Sequence, residues 1–539
     1  MTPPREPAAS PDSNVLCALV CLALVAVTLA VYWPVRSCDF VNYDDDAYVT
    51  ANAAVLEGLS GETLAWAFRT DTTVASNWHP VTMLSHLADV SLFGLDPAGH
   101  HLTSLLWHAL NVVLLLLLLR SATGSLWCSA CVAALFALHP LNVQTVAWIS
   151  ERKSVVSTFF WLAALWTYMG YARSGARSRL IATGALLTLG LMAKSMLVTL
   201  PCVLLLLDVW PLDRVARLGW RRLVLEKLPL FAIVGVASWI TLVAQESSDA
   251  MLANIPMGYR FANATGGYLE YLGKLAWPHP LSIFYPHPGS EMTSGQLGFA
   301  AISAAAVIGV SLTAYRWRQR APWALFGWLW FVGTLVPVIG LVQVGDQAIA
   351  DRYTYVPAIG LFVIVAWGAR AFCGQRARAR VVLSVAVAVW LSLLAVRTRA
   401  ELAPWKNSEA LFRHALVEND RNYLAHTNLA AALYDQGLKQ EAVEHLTLAV
   451  EYDSGYALAL ANLGTLYAEG GQLEDAERML SVAAYMLPET ARAHNALGAV
   501  SMQLGKLDQA ESEFLRALEI DPDYELTKAN LARLAGLRP

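Results

Sequence analysis

Charge is what this chain has least of. Asp, Glu, Lys and Arg supply 15% of its 539 residues, while 56% are hydrophobic. Soluble domains carry roughly a quarter charged residues, so most of this length belongs in an apolar solvent or core. The net charge of −4 gives no footing for a nucleic-acid partner, and none is expected. Cysteine is equally uninformative as a framework. Cys17, Cys21, Cys128, Cys131, Cys202 and Cys373 fall in or beside apolar runs, leaving Cys38 as the obvious loop cysteine. The Cys128-Ser-Ala-Cys131 pair lies inside an apolar run and reads as small residues at a helix contact, not a redox motif. No P-loop, GxSxG or Rossmann fingerprint is present, which removes the support for nucleotide hydrolysis and serine hydrolase chemistry. His79, His86, His100, His101, His108 and His139 are frequent early in the chain, but none has a zinc spacing such as HExxH.

What is present is a series of apolar runs from about 15 to 396, broken by short Arg-rich loops. Residues 15–33 are long enough to span a bilayer of about 30 Å. Tyr32-Trp33-Pro34 follows in place of a small-residue cleavage site, so this reads as a retained span. Further spans are expected at 102–119, 125–148, 154–171, 180–193, 196–209, 224–244, 296–315, 323–342, 354–371 and 380–396, eleven in all. A twelfth run at 261–277 contains Asn263, Glu270 and Lys274 and reads as a surface helix. The positive-inside rule supports this count. With the N-terminus in the cytoplasm, the inward loops carry Arg173, Arg177 and Arg179; Arg214, Arg217, Arg221 and Arg222; Arg316, Arg318 and Arg320; and Arg370, Arg376, Arg378 and Arg380. The long loops at 34–101 and 245–295 then face outward, as does everything after about 400. The 19 Trp and 19 Tyr suit membrane interfaces.

The last stretch has its own period. Leu429, Leu463, Leu497 and Leu531 recur every 34 residues, as do Gly437, Gly471 and Gly505, and Ala442, Ala476 and Ala510. That is the tetratricopeptide (TPR) pattern, with full repeats at 422–455, 456–489 and 490–523. A half-repeat, Trp405 to Asp420, precedes them and a terminal helix, Tyr524 to Leu537, follows. The glycines and alanines are read as small residues that let paired helices approach. The division is therefore a membrane domain over 1–400 and a repeat domain over 401–539. A solenoid of this kind offers a concave surface for an extended peptide, or serves as a spacer.

Chemistry has three outward-facing places to sit. The first is Tyr43-Asp44-Asp45-Asp46, just after the first span. Adjacent carboxylates repel, which raises the pKa of at least one, although an acidic run also caps a helix start. The second is Ser150-Glu151-Arg152-Lys153, and the third is Asp351-Arg352-Tyr353. Lys194 lies in an outward turn short enough to sit at membrane depth, where ionisable groups face a partner or a cavity. Cations on this face suit an anionic lipid phosphate. The bland reading pairs Glu151 with Arg152 and Asp351 with Arg352 as helix-end anchors. The segment 78–94 has amphipathic character and suits the headgroup plane.

Six stretches together resemble a known family: FVNYDDDAYV (40–49), NWHPVTMLSHLAD (77–89), WISERKSVVST (148–158), LMAKSMLVTLPCVLLLLDVWPL (191–212), YPHPG (285–289) and ADRYTYVPAIG (350–360). Their order, followed by the repeats, is similar to the TPR-bearing O-mannosyltransferase-like members of the GT-C membrane glycosyltransferases. The resemblance implies an all-α, polytopic GT-C-like bundle followed by a TPR solenoid. It implies a polyprenyl-phosphate sugar as donor, probed first with mannose, and inverting transfer to a hydroxyl of a protein or other envelope acceptor held by the repeats. It carries the catalytic carboxylate to Asp44 or Asp45, with Asp46 an additional acid. Arg152, Lys194 and Arg352 are then the phosphate-binding set, with Asp46, His79, Glu151, Lys153 and Asp351 in support. No metal is required, although an acidic triplet could hold a divalent ion weakly. The expected location is a bacterial inner membrane, with the repeats on the periplasmic side. The alternative is a non-catalytic scaffold that presents repeats to envelope proteins and has no need of Asp44.

Overall fold

A computed structural model describes residues 11–70, 72–75, 77–246, 255–289, 292–343, 345–374 and 376–537. The chain divides into two compact units, 1–407 and 408–539.

The first unit is a helix bundle. Among the described residues five helices are long and apolar enough to cross a bilayer: Ser13–Ser37, Pro97–Thr123, Ile149–Ser174, Ser294–Arg316 and Ala377–Lys406. Two bent pairs, Leu126–Leu138 with Pro140–Ala147 and Val215–Leu225 with Leu228–Val243, raise that number to seven if each pair is one span. Ser195–Val209, Pro322–Leu335 and Ala358–Cys373 are apolar but shorter. A helix of 14 residues covers about 21 Å, less than the hydrocarbon core. A helix thus stands at each of the eleven expected positions, the one at 180–193 being Arg177–Leu191. Length and composition alone qualify five to seven as spans. The run at 261–277 forms the helix Met257–Ala276, whose Ala264, Tyr268 and Tyr271 pack against Trp328, Phe331 and Leu335.

The breaks between helices build the site. After the first span a short turn, Trp33–Ser37, leads into a loop that ends at Asp46–Thr50. The helix Pro80–Phe93 turns Thr82, Met83, His86, Leu87 and Asp89 into the protein, leaving Leu92 and Phe93 exposed at its end. That burial gives the 78–94 segment an inward-packed face beyond the headgroup-plane role expected of it. Proline at 140 ends one helix, and three short turns follow before Arg152–Ser174 begins. Thr82 Oγ1 donates to the Ala193 carbonyl at 2.9 Å, and Val81 N to the Met192 carbonyl at 3.2 Å, pinning the turn that carries Lys194. The third strand of the site is the turn Asp351–Thr354, next to a two-stranded antiparallel pairing of Tyr285–Pro286 with Gln347–Ile349. It is anchored by Gln144, whose Oε1 accepts from Arg352 N at 2.9 Å while its Nε2 donates to the Ile283 carbonyl at 3.0 Å. Behind it, Pro322–Leu335 crosses Ala358–Cys373 at two glycines. A Cβ on Gly327 would lie 2.2 Å from the Gly360 carbonyl oxygen, and one on Gly360 2.3 Å from that of Gly327. Only glycine permits that approach.

The second unit is a run of antiparallel helix pairs: Tyr423–Asp435 with Lys439–Tyr452, Ala457–Glu469 with Leu473–Met486, and Ala491–Gln503 with Leu507–Ile520. Ser408–Glu418 precedes them and Glu525–Ala535 follows. Ala442, Ala476 and Ala510 are wholly buried between helices, as the period suggests. The recurrent glycines do something else. Gly437, Gly471 and Gly505 have φ of 81°, 78° and 74°, and a Cβ there would meet nothing within 4 Å. Their role is a left-handed turn, not close packing. Close approach falls to Gly464 and Gly498, each 2.7 Å from a carbon of Leu480 or Phe514 if given a Cβ.

Candidate functional site

The three adjacent acids go to three environments. Asp45 is buried, and its carboxylate is fully used: Oδ2 accepts from Val41 N at 2.9 Å, and Oδ1 from Ser150 N at 2.9 Å and from the Ser150 hydroxyl. It ties the loop after the first span to the turn before Arg152. Burial pushes its pKa up to about 7, those bonds holding it back from rising further. Asp46 is exposed. Asp44 lies between, half-buried at φ 66°, a left-handed conformation uncommon outside glycine. Its carboxyl accepts no hydrogen bond among the described residues. Burial raises its pKa, against the pull of Lys153 and Arg352 and with a push from Asp46 and Glu151.

The cations near Asp44 are held by aromatic rings as much as by acids. Lys153 Nζ lies 4.6 Å from the centre of the Tyr48 ring and donates to its hydroxyl at 3.2 Å. The Arg352 guanidinium lies 5.2 Å from the Trp148 ring and 5.0 Å from that of Tyr353. Trp148 is itself fixed by Tyr43, whose ring stacks on it at 4.9 Å and whose carbonyl accepts its indole N–H at 2.8 Å. Cation–π contacts hold a charge while leaving its N–H donors free. Among the described residues the Arg352 side chain spends none of its donors on a hydrogen bond.

Glu151 joins the two cation-bearing segments. Lys194 Nζ is 2.5 Å from its Oε1, Arg352 Nε 3.6 Å and Lys153 Nζ 3.9 Å from its Oε2. His79 Nε2 shares a 2.8 Å hydrogen bond with the Tyr48 hydroxyl, and burial lowers its pKa to about 3, so it is neutral there.

Two expected groupings are absent from this cluster. Arg152 is wholly buried elsewhere, 2.7 Å from Asp89 and bonded to Ser104 Oγ, Ser85 Oγ and the His100 carbonyl. It pairs neither with Glu151 nor with the other cations. Asp351 turns to the far side of its own turn, where Tyr285 donates to it at 2.9 Å and Lys274 stands at 3.8 Å. Burial raises its pKa to about 6 despite Lys274. The pairing of Asp351 with Arg352 is thus replaced by one with Lys274, and that of Glu151 with Arg152 by one with Lys194. Asp89, Tyr48, Trp148, Lys274 and Tyr285 complete the site and were not singled out from sequence, though all but Lys274 lie within the six family-like stretches. Among the described residues no three His, Cys, Asp or Glu side chains are placed to share a metal ion.

A family model described as tetratricopeptide repeat matches residues 461–525. The human protein O-mannosyl-transferase TMTC1 is 23% identical over 443 residues, 74% of this chain and 50% of that relative. The mouse protein O-mannosyl-transferase TMTC3 is 21% identical over 565 residues, 93% of this chain and 60% of its own. This chain thus spans half to three-fifths of the length of these relatives. Among solved structures, ArnT from Cupriavidus metallidurans bound to undecaprenyl phosphate aligns with 90% of this chain and 81% of its own at 17% identity. Its TM-score of 0.32 is too low to carry an argument. By sequence, over most of its length, the chain is similar to proteins named protein O-mannosyl-transferases.

Proposed function

We propose that this protein is a membrane glycosyltransferase. It moves a sugar, with mannose as the first donor to try, from a polyprenyl-phosphate carrier to a hydroxyl of a protein or other envelope acceptor, inverting the anomeric centre. The observation that carries this reading is the meeting of a carboxyl free of hydrogen bonds, Asp44, with Lys153 and Arg352, whose donors are largely unspent. The reaction class is taken from the names of the similar proteins.

In this reading Asp44 takes the proton of the acceptor hydroxyl as its oxygen attacks the anomeric carbon. The carbon–oxygen bond to phosphate breaks on the opposite side, and the charge that develops there meets Lys153, Lys194 and Arg352. Arg152 leaves the phosphate set because Asp89 holds it, and its work is to fix the start of the helix that presents Lys153. Asp45 is a positioning residue for the same reason. The step as written requires no metal. The repeats present or select the acceptor, and the outward face of a bacterial inner membrane is where the donor would be met.

Asp44→Asn keeps the shape and removes the base. Transfer from polyprenyl-phosphate mannose by purified protein, read as release of the free lipid phosphate, should fall by about 10²–10⁴-fold. Activity within a few-fold of the unaltered protein would remove Asp44 from the mechanism.

A further inference from the structure

Glu151 is wholly buried, and its two oxygens are used differently. Oε1 accepts from Lys194 and from the Ser154 hydroxyl. Oε2 has no hydrogen-bond donor among the described residues, although Arg352 and Lys153 stand at ion-pair range. A carboxylate placed only to staple a helix start would gather donors at both oxygens, because a buried charge left partly unpaired is costly. Here two cations hold back, and their N–H groups remain available to another acceptor. Lys153, Lys194 and Arg352 face Glu151 and Asp44, three positive charges against two negative, a net of one positive. Arg152 and Asp89 compensate each other, burial favours the neutral form of Asp45, and Asp46 is exposed.

We propose that Glu151 is a permanent counter-anion that matches the charge of this site to its lipid phosphate both before and after transfer. The inference rests on the glycosyltransferase reading above. The donor is a phosphodiester with one negative charge, which one net positive charge balances. On transfer the acceptor oxygen forms its bond to the anomeric carbon, and its proton passes to Asp44. The bond from that carbon to the phosphate oxygen breaks, with the electron pair staying on the phosphate. The product is then a phosphate monoester of nearly two negative charges. Asp44 has become neutral, so the protein side has risen to two positive charges. Site and ligand remain balanced at both ends of the step. Without Glu151 the protein would exceed its ligand by one charge throughout and would hold the doubly charged product hardest, because attraction between opposite charges grows with the charge on each.

The test is the affinity of the purified full-length protein for a short-chain polyprenyl monophosphate. Glu151→Gln should bind it about 10-fold tighter than the unaltered protein. Lys194→Met should bind it about 10-fold more weakly. The double variant, which removes one charge of each sign and so restores the net charge, should return to within about threefold of the unaltered protein. The proposal is overturned if Glu151→Gln binds no tighter, or if the double variant binds as weakly as Lys194→Met. That second comparison decides the matter alone if Glu151→Gln does not fold. Should the unaltered protein neither bind the lipid phosphate nor transfer a sugar, the enzymatic reading falls and takes this one with it, a result separate from the other two.

Discussion

Asp44 and Asp45 are neighbours in different surroundings, one without a hydrogen bond on its carboxyl among the described residues and one fully bonded, and the second can be tested through its pH response. The folded-state pKa of Asp45, about 7, lies above the value of about 3.9 expected in an unfolded chain. Its contribution to stability is therefore complete below about pH 4 and is lost as pH rises toward 7. Thermal unfolding followed across that window should show the unaltered protein losing stability relative to Asp45→Asn, by on the order of a few kcal/mol between the two ends. A constant offset between them would mean that Asp45 titrates normally. The sequence could locate this acidic run but not divide its labour, because the division depends on distant groups. Ser150 claims Asp45, and a left-handed residue at 44 turns its neighbour away. The same holds at Glu151-Arg152-Lys153. Arg152 was placed with the phosphate cations and Lys153 in support, yet the nearest acid to Arg152 is Asp89, on another helix. Three consecutive residues reach two destinations because Glu151 still sits in a 3-10 turn, at ψ 8°, when the α-helix begins.

At the scale of elements, helix-breaking residues decide most of the geometry. The crossing at Gly327 and Gly360 is the sharpest case, since each would put a Cβ into the other's carbonyl. Gly360→Val should cost roughly 1–3 kcal/mol in thermal stability, the usual penalty of overpacking. It should also weaken lipid-phosphate binding, because Arg352 stands a few residues ahead of that helix. Gly309→Ala, on a helix where a Cβ meets nothing, is the control and should leave both unchanged. Equal behaviour of the two variants would reject the crossing as a constraint. Apolar runs mark a helix at each of the eleven expected positions, since burial in lipid demands them, but not the shorter helices Gly61–Phe68 and Val215–Leu225. The reason for the repeat glycines was less accessible: a fixed period signals that a residue matters, and only the backbone angle shows that it matters for a turn.

For the whole molecule, the distribution of arginine remains the main guide to orientation. Five to seven helices qualify as spans by length and composition, against eleven expected from the charge pattern. Short helices such as Pro322–Leu335 lie between the two numbers, being apolar without being long. A reporter joined after Pro539 should be active only outside the cytoplasm, as an odd number of crossings demands. Activity inside would shift the count by one. The division into a membrane part and a repeat part was readable because the two have different periods and different solvents. The assembly of the site was not, since its charges are drawn from residues 44, 151, 153, 194 and 352.

That scatter along the chain sets an order of events during synthesis. A growing polypeptide acquires Asp44 first, the ammonium groups of Lys153 and Lys194 next, and the Arg352 guanidinium last, after some two-thirds of the protein has been made. Until Arg352 arrives, Trp148 lacks one of the two cations that rest on it and Gln144 Oε1 lacks the backbone N–H it accepts from. On the glycosyltransferase proposal, a shortened product ending before that point lacks part of the phosphate site and spends no donor.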